Sequence, residues 1–227
     1  MQTLIDALDR DRVRAAVEQA ETRTAGEIVP VVVPKSDEYE VATWRGAVFG
    51  GLIGLVAVLL VLQFYSGWAL GWLYTPGGVA LVVLGTSVLG GALTTTVPVL
   101  RRRAAGSDLL DETVHRRALQ AFVEEEVFNT RDRTGILIFV SLLEHRVEVL
   151  GDTGINQHVQ PDDWVEVVDC IREGIRHDHF TDGLVEAVQL CGRLLERRGM
   201  DAGPGNKNEL PNTVRTPESK EGSSSTD

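Results

Sequence analysis

Four side chains that carry oxygen ligands stand at the ends of predicted strands: Glu27, Asp132, Asp152 and Asn156. Ca²⁺ and Mg²⁺ are bound in proteins mainly by carboxylate, amide and carbonyl oxygens. One interpretation is therefore a cation site formed by these four residues. The other is that Asp152 is a turn residue that ends a strand and satisfies the backbone after it.

Two arginines lie next to Asp132 and could hold a phosphate group. Arg131 and Arg133 are suited to this because guanidinium groups bind phosphate with two parallel hydrogen bonds. With the carboxylates and a metal-activated water, they would make a phosphatase site. A solvated loop with ordinary ion pairs is the alternative. The sequence contains no Walker-type phosphate loop, no Gly-x-Ser-x-Gly elbow and no Cys-x-x-Cys pair.

Three further features carry chemically able side chains but favour structural interpretations. The run His177-Asp178-His179 looks like part of a metal site, yet it falls where a polar connector between helices is expected. Trp164 lies on an apolar helical face and is predicted to be a core residue. Cys170 and Cys191 follow apolar helical patterns and are predicted to be reduced core thiols.

The candidate residues depend on three predicted strands, Glu27–Val33, Gly135–Ser141 and Arg146–Leu150, which are β-branched, fully apolar and alternating, respectively. The first two follow helices through similar Arg-Thr-Gly loops, which indicates parallel strands. A turn at 142–145 makes the third antiparallel. The starts of strands one and two then share an edge with the end of strand three. Pro30 places the first strand near a sheet edge.

The helices predicted around these strands are periodic in their apolar residues. A Gly, Pro, Ser and Asn-rich tail follows the last of them and is predicted to be disordered. The predicted ranges are 4–22, 107–128, 161–177 and 181–198 for the helices and 199–227 for the tail.

Fifty-five consecutive residues, from Gly46 to Leu100, contain no Asp, Glu, Lys or Arg. A bilayer explains such a stretch in a chain that is 24% charged. Residues 44–103 are predicted to form a transmembrane hairpin with spans at about 46–64 and 79–100. It divides one α/β domain into the segments 1–43 and 104–198.

The charges that flank the hairpin predict its orientation in the cell membrane. Arg45 precedes the first span, Arg101–Arg103 follow the second, and the connecting loop has no positive charge. The positive-inside rule then places both termini of this multi-pass protein in the cytoplasm. Aromatic residues in the loop are predicted to lie at the outer surface: Tyr65, Trp68, Trp72 and Tyr74.

Gly46, Gly50 and Gly54 line one face of the first span and predict close helix packing. The partner is either the second span of the same hairpin or a second molecule, which would make a homo-oligomer. Net charge is −11 and the pI is about 4.9, which argues against nucleic acid as a partner. The N-terminal residues are highly charged and do not predict a secretory signal.

In its order of motifs the chain resembles the TPM domain, also described as a putative phosphatase domain. The resemblance covers about residues 5–40 and 105–198 and is to a bacterial membrane subgroup split by two spans. It implies an α/β/α sandwich and, across the family, acid-phosphatase activity, divalent-cation binding and photosystem repair. The matching segments are 24–29, 133–140, 146–156, Trp164 and 180–184.

These observations lead to three functional hypotheses. The first is an accessory protein, anchored by its hairpin, that helps assemble, stabilise or repair membrane protein complexes. The second is a membrane-tethered, cation-dependent acid phosphatase that uses Glu27, Asp132 and Asp152. The third is a structural hairpin whose glycine face forms dimers.

Overall fold

The computed structural model describes residues 2–37, 40–64, 68–203 and 208–216. The chain divides into two compact units, an α/β unit of residues 1–36 and 111–227 and a hairpin unit of residues 37–110. The elements, in chain order, are α1 (Gln2–Asp6), α2 (Arg10–Glu21), β1 (Glu27–Val33), α3 (Glu40–Phe64), a 3₁₀ helix (Trp68–Tyr74), α4 (Pro76–Thr96), α5 (Pro98–Ala105), α6 (Ser107–Glu124), β2 (Gly135–Ser141), β3 (Arg146–Gly151), α7 (Thr153–Asn156), a second 3₁₀ helix (Pro161–Trp164), α8 (Val165–Arg176) and α9 (Phe180–Arg197).

The α/β unit contains a three-stranded mixed sheet with the order β1-β2-β3. β1 and β2 are parallel, with Glu27 opposite Gly135 and Val33 opposite Ser141. β2 and β3 are antiparallel and are joined by the turn at 142–145, with Ile136 opposite Gly151. The predicted strand directions and their shared edge are therefore confirmed.

Helices cover both faces of this sheet, which makes the predicted α/β/α arrangement. Alternate residues of a strand point to opposite faces, and β1 shows this directly. Ile28 and Val32 belong to a core with α2, α8 and α9, whereas Val29, Val31 and Val33 belong to a second core with α6. A strand buried on both faces has no polar positions to spare, and all seven residues of β1 are buried.

The C-terminal segment, defined here as residues 208–216, lies along the outer edge of β1. The Arg215 N–H donates to the Pro30 carbonyl, and the Val32 N–H donates to the Arg215 carbonyl, both at 2.9 Å. Pro30 is tolerated because its missing N–H would have pointed to this outer edge, as predicted. Leu210 and Val214 are buried beneath the segment.

The prediction that residues 199–227 are disordered is wrong for residues 208–216. The segment has too few apolar residues to predict a fold by itself, but the unpaired edge of β1 supplies it with backbone partners. Residues 199–203 are also described, and Asp201 forms an isolated bridge with Thr24. The rest of the predicted tail lies outside the described residues.

Helix boundaries differ from the prediction at three points. The predicted helix 4–22 is two helices, because Asp9 caps a new one by accepting a hydrogen bond from the Arg12 N–H. α6 ends at Glu124 rather than at 128, before Glu126 adopts a positive φ of 52°. The predicted helix 161–177 begins as a 3₁₀ turn and becomes α-helical only at Val165.

The hairpin unit contains two helices that are long and apolar enough to cross a membrane, Ala42–Phe64 within α3 and Pro76–Thr96. The second begins and ends earlier than the predicted 79–100. Thr75 caps it, Pro76 occupies its first turn, and Val97 is extended because Pro98 follows. In the loop, the side chains of Trp72 and Tyr74 are about half exposed. Tyr65 lies outside the described residues.

The glycine face of α3 packs against α4 of the same hairpin. A Cβ at Gly50 would overlap the Thr86 carbonyl oxygen and lie 3.1 Å from the Gly90 Cα, and a Cβ at Gly46 or Gly54 would overlap a threonine side chain of α4. Of the two partners that the sequence left open, the second span therefore occupies this face. Formation of a homo-oligomer stays a prediction.

Candidate functional site

The backbone brings the predicted loops together at one edge of the sheet. The Gly154 N–H donates to the Arg133 carbonyl at 2.9 Å, and the Asp152 N–H donates to the Gly135 carbonyl at 2.9 Å. The Glu27 N–H donates to Thr134 on the other side of β2 at 3.1 Å. A side chain at Gly154 would overlap the Asp132 carbonyl oxygen, so only glycine allows this approach.

Asp152 starts α7 as its N-cap and is 4% exposed. Its Oδ1 accepts a hydrogen bond from the Thr153 N–H at 2.6 Å. Its Oδ2 lies 2.8 Å from Arg133 Nε, close enough for an ion pair but not in the direction of a hydrogen bond. The structure thus gives Asp152 the role of a buried turn residue, the second of its two interpretations.

Arg133 is fixed in an uncommon backbone conformation, with a φ of 56°. Its guanidinium lies 5.7 Å from the centre of the Phe128 ring, within the range of a cation–π contact. Its carbonyl is held by Gly154. The neighbouring Arg131 forms an ion pair with Glu209 of the C-terminal segment at 3.3 Å. Both predicted phosphate ligands therefore already have partners.

The four predicted cation ligands share an edge but do not point to one centre. Glu27 accepts a hydrogen bond from the Leu210 N–H at 3.3 Å, on the side of the C-terminal segment. The Asn156 amide donates to the Gly151 carbonyl at 2.7 Å, and Asp132 is exposed. Within the described residues, no three side chains of His, Cys, Asp and Glu form a group that could hold a metal ion.

The separation of Glu27 from Asp152 has a steric cause. The register places both beside Gly135, one on each neighbouring strand. The main chain of Val127 fills the space above Gly135, where even a Cβ would overlap its carbonyl oxygen. Neighbouring strands are about 4.8 Å apart, so the two carboxyl groups lie on either side of this obstacle.

The other candidates from the sequence take structural places. Trp164 is 6% exposed and belongs to the core with α2, α8 and α9, which confirms its predicted role. His177 and His179 lie between α8 and α9, where His177 faces Glu173 at 3.1 Å. Cys191 is buried and Cys170 is half-buried. Burial raises the pKa of the Cys191 thiol to about 12, which makes it unreactive at neutral pH.

Glu21 is a buried carboxyl that the sequence analysis missed, because it reads as the polar end of an amphipathic helix. It is 5% exposed, and its Oε1 accepts a hydrogen bond from the Ile28 N–H at 2.9 Å. Burial raises the pKa of Glu21 to about 8, and the nearby Glu27 and Glu18 add to the shift. Burial also raises the pKa of Glu27, which is 3% exposed.

A second missed cluster lies at the other end of the parallel strands. Glu144 is 1% exposed and accepts hydrogen bonds from the Ser36 N–H at 3.0 Å and from the Ser141 hydroxyl. The two serine hydroxyls are 2.7 Å apart. The cluster fixes the point where the chain leaves β1, just before residue 37, at which the hairpin unit begins.

Replacing Glu144 tests whether this cluster holds the strand ends. We expect Glu144→Ala to lower the free energy of unfolding by about 2–3 kcal/mol, because it leaves buried donors without an acceptor. Glu144→Gln keeps an acceptor oxygen and is expected to cost less. Chemical denaturation of the detergent-solubilised protein measures both. Equal losses in the two variants would contradict a role based on hydrogen bonding.

Replacing Asp152 separates its two interpretations. As an N-cap, Asp152→Ala is expected to lower the free energy of unfolding by about 1–2 kcal/mol, and Asp152→Asn by less, since asparagine also caps helices. Binding of Ca²⁺ or Mg²⁺ stays a prediction. A saturable rise in melting temperature with either cation that both substitutions abolish would contradict the capping interpretation.

A groove between α8 and α9 has a volume of about 1130 Å³ and is rich in acidic side chains. The two helices approach closely at its floor, where a Cβ at Gly174 would lie 3.0 Å from the Gly183 Cα. Arginines stand at one end of it, Arg197 and Arg198. The acidic residues that line it are Asp162, Asp163, Glu166, Asp169, Glu173, Asp182 and Glu186.

The fold and the site together define a mixed α/β domain of the α/β/α class with an inserted helical hairpin. The NMR structure of the BA42 protein from the psychrophilic bacterium Bizionia argentinensis is similar to the chain, with a TM-score of 0.54 and 18% identity. The similarity covers 91% of each chain. At this identity it shows the fold alone. No family model matches the sequence, and no curated protein matches it.

Proposed function

We propose that the protein is a membrane-anchored accessory protein whose TPM-like domain lies in the cytoplasm. There it binds membrane protein complexes and helps to assemble, stabilise or repair them. The observation that carries this proposal is a pair of membrane-length helices inserted into an α/β domain. Such an insertion ties both ends of the domain's longest connection to the bilayer.

Details of the hairpin unit support its place in a bilayer. Large apolar side chains point away from the helix pair, such as Phe49 at 62% and Leu84 at 65% exposed. Lipid would cover them, whereas water would not tolerate so large an apolar surface. At the base of the hairpin, Arg45 donates to the Ala104 carbonyl at 2.9 Å. The positive charges at this end support a cytoplasmic orientation.

The acidic groove between α8 and α9 supports a protein partner of defined chemistry. Cytoplasmic loops of membrane proteins are enriched in Lys and Arg. A basic loop of this kind would complement the groove, and a pair of opposite charges would set its orientation and speed its association. We therefore propose that the groove holds a basic cytoplasmic segment of a membrane protein.

The phosphatase alternative requires Glu27, Asp132 and Asp152 to act on one cation. Glu27 instead binds the C-terminal segment, and Asp152 caps α7. The accessory function is the one that this geometry supports better.

Cross-linking in native membranes, followed by purification of the tagged protein, tests the proposal. A double variant, Glu166→Lys with Glu173→Lys, reverses charge in the groove. A matched control, Asp11→Lys with Glu112→Lys, makes the same change in net charge elsewhere on the α/β unit. We expect the protein and the control to recover the same membrane protein and the groove variant to lose it. No reproducible membrane partner, or equal recovery by all three proteins, would contradict the proposal.

A further inference from the structure

The C-terminal segment occupies the outer edge of β1 as an added strand would. Only two backbone hydrogen bonds join it to that edge, those between Arg215 and the pair Pro30 and Val32. Its side chains add an ion pair between Arg215 and Glu125 at 3.1 Å and a hydrogen bond from Arg10 to Thr216 at 3.3 Å. This is the geometry of peptide recognition by strand addition, here within one chain.

Two buried carboxyl groups lie beneath the segment and bind it. Glu27 accepts from the Leu210 N–H at 3.3 Å. Glu21, which accepts from Ile28 of the same strand edge, also forms a side-chain hydrogen bond with Asn212. The segment thus covers the two groups whose charged forms are most expensive to bury.

The charged groups that raise the cost of ionising these carboxyls are themselves acids. Glu18 of α2 and Glu27 of β1 act on Glu21, and Glu209 of the segment acts on Glu27. Protonation of Glu21 and Glu27 removes the mutual repulsion and the desolvation cost. Ionisation restores both, and detaching the segment relieves them by letting water reach the carboxylates.

We propose that the outer edge of β1 is a peptide-docking edge that residues 208–216 occupy within the chain, and that ionisation of Glu21 and Glu27 releases them. Release uncovers the Ile28 and Val32 N–H groups and the Pro30 carbonyl. These are the groups that a docked extended segment needs. The inference is independent of the accessory function, since it concerns another surface of the α/β unit.

Hydrogen exchange of the full-length protein in detergent, read by mass spectrometry at pH 6 and pH 9, tests this inference. Each rate is divided by its intrinsic rate at the same pH. We expect protection of the Val32 and Arg215 amides to fall at least tenfold at the higher pH. The Leu142 amide donates to Val33 on the inner side of β1 and serves as an internal control whose protection is retained.

Two variants make the outcome specific to the carboxyl groups. In Glu21→Gln with Glu27→Gln, we expect the Arg215 amide to stay protected at pH 9. The single variant Glu21→Gln provides the same test, with a smaller effect, if the double variant does not fold. Unchanged protection of Arg215 in the wild-type protein, an equal loss at Leu142, or an equal loss in the variants would each overturn the inference.

Discussion

The Glu21→Gln variant is expected to be more stable than the wild-type protein at pH 8 and equally stable at pH 5. In the folded protein the pKa of Glu21 is about 8, compared with an ordinary value of 4.5. The folded state therefore keeps a proton that the unfolded state has lost between these pH values. By linkage, the stability that the protonated Glu21 contributes is complete below about pH 4.5 and is lost as the pH rises toward 8.

The size of this effect follows from the shift. One pKa unit corresponds to about 1.4 kcal/mol, so the wild-type protein is expected to lose on the order of 3–4 kcal/mol over this range through Glu21 alone. Glutamine cannot ionise and keeps an oxygen that can accept from the Ile28 N–H. Chemical denaturation at pH 5, 6, 7 and 8 gives the difference between variant and wild type at each pH.

A matched control for this experiment is Glu18→Gln, one helical turn earlier on α2. The Glu18 side chain is 57% exposed, so its loss is expected to change stability by less than about 0.5 kcal/mol at any of these pH values. If Glu21→Gln were no more stable than the wild-type protein at pH 8, the carboxyl could not be the buried proton-binding group described above.

The second large effect is expected from Gly50→Leu in the hairpin. Gly50 lies against the backbone of Thr86 and Gly90, so a leucine side chain would force α3 and α4 apart. Packing of small residues is a main source of helix association in lipid. Gly85→Leu is the control, because a Cβ at Gly85 meets nothing within 4 Å.

A disulfide between α3 and α4 measures this separation. The Ala47 Cβ lies 3.6 Å from the Cβ position at Gly91, within the range of disulfide-bonded cysteines. With Cys170→Ala and Cys191→Ala as background, the pair Ala47→Cys and Gly91→Cys is expected to oxidise readily. Adding Gly50→Leu should reduce the yield by more than half, and adding Gly85→Leu should not. High yields in both cases would show that the glycine face does not pack within the hairpin.

The strand arrangement was predictable because it follows from short-range patterns. The β-branched run that contains Pro30 and the short turn after Ser141 are enough to give an edge strand, a parallel pair and an antiparallel pair. The ordered segment 208–216 was not predictable in this way. It contains only Leu210 and Val214 as buried apolar residues, and its order depends on contacts with a strand that lies far away in sequence.

The candidate site was predictable in its backbone but not in its side chains. The loops that hold Arg133 and Gly154 meet at the edge that strand directions require. Whether Glu27 faces Asp152 depends on what fills the space between them, and Val127 fills it. Glu21 was missed for a related reason, since its burial comes from Asn212 and the C-terminal segment rather than from its own helix.

The most direct test of the central claim, a hairpin that anchors a cytoplasmic domain, is thiol labelling of intact cells with a reagent that does not cross membranes. In the cysteine-free background, Gly71→Cys reports on the loop of the hairpin and Arg176→Cys reports on the α/β unit, where the Arg176 side chain is 66% exposed. We expect labelling of the cysteine at 71 in intact cells and of the cysteine at 176 only after the cells are broken open. Labelling of position 176 in intact cells, or of neither position until lysis, would contradict the orientation on which the proposed function rests.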